Sequence, residues 1–150
     1  MPVPFARRPV VLAATLAALV IGVGCEEDPA PEPEPEVETL RIVFPSLNDT
    51  VFVNVTTGVV TSGPITIAAN ADFTAQFLKL DGSVETIVTD AEFRLDVTPA
   101  NTGVVTFGRS SAFAGTLNKV AAGATTINFA LFHLVEQHNE FDRPVAITVN

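Results

Sequence analysis

The chain has 150 residues, 47% of them hydrophobic and 17% charged, with a net charge of −9. That length suits one domain, and the apolar share is enough for a packed core. From Thr39 onward ten acids face six bases, so no basic surface is available to neutralise phosphates, and nucleic acid is excluded as an expected partner. Eleven Phe and no Trp or Tyr mean that Phe must supply every large aromatic piece of the core.

Residues 1–24 read as a secretory signal peptide. Arg7 and Arg8 give a positive start, and Val10 to Val23 form an apolar run. Gly22, Val23 and Gly24 are small or slim residues ahead of a cleavage point. The apolar run falls short of the roughly 20 residues that span a bilayer. Cys25 is the only cysteine, so no disulfide can form within the chain, and an exposed thiol in an exported protein asks for a reason.

The four residues Gly22-Val23-Gly24-Cys25 resemble the lipobox of bacterial lipoproteins, with Gly22 where that family favours Leu. The resemblance implies cleavage in front of Cys25 and lipidation of its sulfur. It also implies an exported protein held by that anchor to a membrane of the bacterial cell envelope.

Residues 25–38 follow as an acidic tether. Seven acids and four prolines crowd into positions 26 to 38. Proline fixes φ and donates no hydrogen bond, and neighbouring carboxylates repel, so the segment is expected to stay extended.

Residues 39–150 read as a single all-β domain. Apolar residues alternate with others at Leu40/Ile42/Phe44, Val51/Val53/Val55, Ile65/Ile67/Ala69 and Phe73/Ala75/Phe77. They do so again at Phe93/Leu95/Val97, Val105/Phe107, Ile127/Phe129/Leu131 and Val145/Ile147/Val149. Period two places one set of side chains in a core and the other towards water. Turn residues separate the runs, as at Asn48-Asp49, Ser62-Gly63-Pro64 and Asp81-Gly82-Ser83. Seven or more short strands with frequent turns predict a sandwich or barrel.

The stretch from Phe73 to Asn150 resembles the bacterial immunoglobulin-like domain, group 2, of surface proteins related to invasins and intimins. FTAQFLKLDGS, FRLDVTPANTGVVTF and GTLNKVAAGATTINF carry the resemblance, with Phe93 or Leu95 where that family often has Trp. It implies an immunoglobulin-like β-sandwich in which Gly115, Leu117, Val120, Gly123 and Ile127 are structural. Gly123 is then expected to form a tight turn, and Leu117, Val120 and Ile127 to reach the core. GRSSAFA, ahead of Gly115, reads as an insertion. Family members mostly serve as spacers, stalks or adhesive modules and share no catalytic residues.

Chemistry-bearing residues are few. His133 and His138, with Glu136, Glu140 and Asp142, form HLVEQHNEFD. The spacing fits no strong zinc motif, and the segment reads as a solvated hairpin loop ended by Arg143-Pro144, so no metal is expected. Asp49, Asp81, Asp90 and Asp96 lack the spacing of a calcium loop and read as turn and edge residues. Ser110 and Ser111 sit in no nucleophile elbow. Ala130, Phe132 and Leu134 form an apolar face opposite Phe129 and Leu131; Phe132 and Leu134 are expected to lie under the segment Arg109 to Gly115, and left uncovered they would mark a partner surface. These readings lead to no enzyme and no cofactor. They favour a membrane-anchored structural or protein-contact module. The alternative is a module that binds an envelope glycan or other ligand through loops at one end of the sandwich, weakened by the absence of Trp and Tyr for sugar stacking.

Overall fold

In a computed structural model, described here for residues 33–150, the alternating runs become nine strands. They are β1 (Thr39–Phe44), β2 (Asp49–Asn54), β3 (Ile65–Ile67), β4 (Ala71–Leu78), β5 (Phe93–Pro99), β6 (Val105–Ser111), β7 (Ala114–Lys119), β8 (Gly123–His133) and β9 (His138–Val149). One sheet has the order β2-β1-β4-β7-β6 and the other β3-β9-β8-β5. Leaving out β2 and β3, the strands run 1-4-7-6 in one sheet and 9-8-5 in the other, the ABED and GFC order of an immunoglobulin-like sandwich. β3 pairs in parallel with β9 (Ile65 opposite Ile147, Ile67 opposite Val149), so the chain crosses from one sheet to the other between β2 and β3. The fold is an immunoglobulin-like β-sandwich with an added edge strand, β2.

The alternation fixes which face is buried. Leu40, Ile42 and Phe44 of β1 are fully buried while their neighbours are half exposed, and β5 repeats this with Phe93, Leu95 and Val97. Phe73 is the hub between the sheets. Its ring meets Phe44 at 5.8 Å and Phe107 at 6.0 Å in its own sheet, and Phe129 of the opposite sheet at 6.1 Å, edge to face. Such pairs add about 0.5–1.5 kcal/mol beyond the area they bury. A second group at one end joins Phe77 to Phe113 at 5.1 Å and to Phe141 at 6.2 Å.

Several expectations are corrected. GRSSAFA is not an insertion: it is the end of β6 and the tight turn into β7, with Arg109 opposite Gly115 and Ser111 opposite Ala114. The Phe113 carbonyl accepts from Ala75 and the Ala112 carbonyl from Leu95, so this hairpin tip stitches onto both sheets. Arg109 reinforces the seam, donating to the Leu95 carbonyl at 2.7 Å and to Asp96 at 2.7 Å. Arg143-Pro144 does not end a strand either, since β9 runs through it with Pro144 opposite Asn128. β3 flanks β9 only from Ile147 to Val149, so the missing N–H of Pro144 costs no ladder bond there. The flank left open is used by Arg143, whose guanidinium donates to the carbonyls of Val55 and Thr56.

The domain also begins earlier than Thr39. The compact unit runs from Glu32 to Asn150. Val37 packs against the core, the Glu38 amide donates to the Leu78 carbonyl, and the Val55 amide donates to that of Glu38. A Pro/Glu composition describes a chain that does not fold by itself, but it leaves backbone groups able to pair with an existing edge.

Candidate functional site

Of the residues singled out for structure, Leu117 and Ile127 are fully buried, on β7 and β8. Val120 is not in the core: it is 54% exposed. The chain leaves β7 at Lys119 to cross to the other sheet, and Val120 falls on that crossing, where the alternation no longer applies. Gly115 lies inside β7. A Cβ there would come within 2.2 Å of the Phe107 ring and 2.6 Å of the Gly108 carbonyl oxygen, so the absence of a side chain lets Phe107 lie across the strand. Gly123 opens β8, and a Cβ on it would meet Val104 at 3.1 Å. Cys25 lies outside the described residues.

The expected apolar strip has a different cover. The Arg94 guanidinium of β5 sits over the Phe132 ring, 4.7 Å from its centre, while Arg94 itself is held by Asp96 at 2.9 Å. Leu134 is half-buried in the β8–β9 turn, and its amide donates to the Glu92 carbonyl at 2.7 Å. The four aspartates are not brought together. Asp49 accepts from the Thr50 amide, Asp81 from the amide and hydroxyl of Ser83, and Asp96 from two arginines; Asp90 is exposed in the β4–β5 connection. Ser110 and Ser111 are exposed at the end of β6.

Polar chemistry gathers at one end of the sandwich, where the β8–β9 turn, the start of β5 and residues 33–36 meet. Two titratable side chains are buried there. Glu85, in the β4–β5 connection, is 2% exposed. It accepts from the Glu36 amide at 3.0 Å and the Ile87 amide at 3.1 Å, and Lys79 stands 3.4 Å away. Burial alone would raise its pKa, but the two amides and the ammonium outweigh it and hold the carboxyl below its ordinary value of 4.5. Glu85 thus clasps the incoming chain to the sandwich.

His133 is the second: HLVEQHNEFD does form a hairpin with a mostly exposed turn, but His133 itself is buried rather than solvated. It ends β8, is 8% exposed, and stacks on Phe93 with ring centres 4.4 Å apart. Stacking fixes the ring plane. His138 is its cross-strand partner, which brings the two imidazoles to 5.7 Å, edge to face. A four-residue turn closes the hairpin, with Gln137 in the left-handed region (φ 58°) and its amide donating to the His133 carbonyl. Next to it the register shifts: Phe132 faces Asn139 but Leu131 faces Phe141. Glu140 is the extra residue of this bulge, and a bulge re-aims a side chain.

The result is a ring of four groups. His133 Nδ1 lies 3.5 Å from both Glu136 Oε2 and Glu140 Oε1. His138 Nδ1 lies 3.4 Å from Glu136 Oε2, and its Nε2 lies 3.1 Å from Glu140 Oε1. Glu140 is largely buried, and Glu136 and His138 are about half exposed. A small cleft opens beside the ring, bordered by Pro33, Glu34, Pro35 and Glu92. Burial of His133 and the bulge at Glu140 were missed from the sequence. Continuing the alternation of Ile127, Phe129 and Leu131 by one step would have placed His133 on the inner face.

No family model matches the chain, and no curated protein matches it. Among solved structures, the chain is similar to domains 4 and 5 of the S-layer protein SbsC, with 20% identity and a TM-score of 0.41. The similarity covers 67% of this chain and 58% of that one.

Proposed function

We infer that this chain is a non-enzymatic lipoprotein of the bacterial cell envelope, anchored through Cys25, whose immunoglobulin-like domain acts as a structural or protein-contact module. The observation that carries the reading is the order of parts along the chain. An apolar run closes on the only cysteine, an acidic proline-rich stretch follows, and then a sandwich with a filled interior. The resemblance of Gly22-Val23-Gly24-Cys25 to a lipobox, and of Phe73 to Asn150 to group 2 immunoglobulin-like domains, supports it. The space between the sheets is occupied by side chains such as Phe44, Phe73, Phe129 and Leu131, all nearly without exposure, which suits a load-bearing spacer better than a ligand barrel.

The test is fractionation with metabolic fatty-acid labelling. The wild-type chain is expected to label and to sediment with membranes. Cys25→Ser is expected to lose the label and either appear in the soluble fraction or retain its signal peptide. An unlabelled wild type that partitions into water would overturn the anchor.

A further inference from the structure

We propose that the β8–β9 hairpin is a zinc-class divalent cation site, with His133 Nδ1, Glu136 Oε2 and His138 Nδ1 as ligands and Glu140 as the residue that orients His138. One donor atom from each of His133, Glu136 and His138 already lies within 4.8 Å of the others. The two spacings to Glu136 are those of ligands on a shared ion. Charge-assisted N–H···O⁻ bonds close to about 2.7–2.9 Å, yet His133 and His138 stand 3.5 and 3.4 Å from the same Glu136 oxygen. Two ligands on a tetrahedral zinc, each about 2.0–2.1 Å from the metal, are about 3.4 Å apart.

The shorter of the two contacts to Glu140, from His138, has the form of an outer-shell bond. Metal-bound imidazoles commonly donate their second N–H to a carboxylate, which fixes the tautomer and leaves the other nitrogen free to ligate. Glu140 Oε1, 3.1 Å from His138 Nε2, is placed to accept that proton and leave the Nδ1 lone pair directed at the ion. The bulge in β9 is what places it there. His133 is held in advance by Phe93, with a side chain only 10% exposed. Closing the site therefore falls to the half-exposed Glu136 and His138.

Imidazole and carboxylate suit zinc, as well as nickel and cobalt, in preference to calcium or magnesium. Three protein ligands leave a fourth position for water or for a donor from a bound molecule. That position adjoins the cleft bordered by Glu34 and Glu92, whose negative charge favours cation capture. The inference is independent of the lipid anchor, since an unlipidated chain would hold the same hairpin.

The test is titration calorimetry of the full chain in detergent, stripped with EDTA and then given zinc chloride, with cobalt(II) as a spectroscopic probe. The expected result is one zinc per chain and the strong visible absorption of four-coordinate cobalt. His138→Ala and Glu136→Gln alter exposed side chains and leave the fold intact. Each is expected to weaken binding at least about a hundredfold, and Glu140→Gln, acting through His138, about tenfold with the stoichiometry kept. Replacing Glu26, Glu27 and Asp28 by Gln is expected to change nothing. Failure to take up zinc at about 1 mM, or uptake unchanged in the His138→Ala/Glu136→Gln double variant, would overturn the site.

Discussion

The interior between the sheets and the polar end of the sandwich are both buried, but they are built on different terms. In the interior the contacts are non-directional: Phe73 touches Phe44, Phe107 and Phe129, and stability follows the apolar surface removed from water. At the polar end the buried groups are Glu85 and His133, and each needs named partners. Glu85 has them, with an amide on each oxygen and Lys79 beside it. His133 faces two carboxylates at 3.5 Å, too far for a tight charge-assisted bond. One end post is complete in the protein alone, and the other is arranged around a cation.

That contrast is sharpest under mutation. Truncation of Phe129, fully buried opposite Phe73, is expected to cost about 3–5 kcal/mol in chemical denaturation; a loss below about 1 kcal/mol would mean that the interior does not depend on it. Gly115→Ala tests the same interior by overfilling. The added methyl group has to displace Phe107 and the Gly108 carbonyl, and a cost of about 1–3 kcal/mol is expected.

At the polar end, Glu85→Gln is expected to cost about 1–2 kcal/mol at neutral pH, because an amide cannot accept on both sides as a carboxylate does. The pH dependence follows from the sign of its shift. The carboxyl titrates below 4.5 in the folded chain, so its contribution is present above that value and lost as pH falls through the folded pKa. Stability of the wild type should drop more steeply below about pH 4.5 than that of Glu85→Gln. Parallel acid limbs in urea titrations would remove Glu85 from its role as a clasp. The smallest effect is expected for His138→Ala without metal, below about 0.5 kcal/mol, since its side chain is half exposed.

The interior was legible in the sequence and the polar end was not. Leu40, Ile42, Phe44, Phe93, Leu95 and Val97 declare their faces by alternation alone, because a period-two pattern has one solution once a face is buried. The parallel pairing of β3 with β9 could not be read, since only three residues carry it and parallel partners are distant in the chain. Val120 misleads because its place in the core comes from the resemblance to group 2 immunoglobulin-like domains, whereas in this chain it falls on a crossing between sheets. Ser110 to Phe113 misled because a short turn with polar residues resembles an inserted loop. Residues 33–38 read as tether because composition reports what a segment does alone, not what a neighbouring carboxylate such as Glu85 will hold. The polarity of His133 points to solvent, although its position two residues after Leu131 places it inward. The bulge that aims Glu140 has no sequence signature of its own.

The difference between a finished buried group and one arranged for a cation is measured most directly by thermal melting of the full chain in EDTA and again in zinc. Wild type, Glu85→Gln and His138→Ala would be compared. Glu85→Gln should melt lower than wild type by a similar amount in both conditions. His138→Ala should match wild type in EDTA and lack the rise that zinc gives wild type, a rise expected to exceed about 5 °C at a hundredfold excess over Kd. An equal zinc response in wild type and His138→Ala, or no response in either, would contradict it.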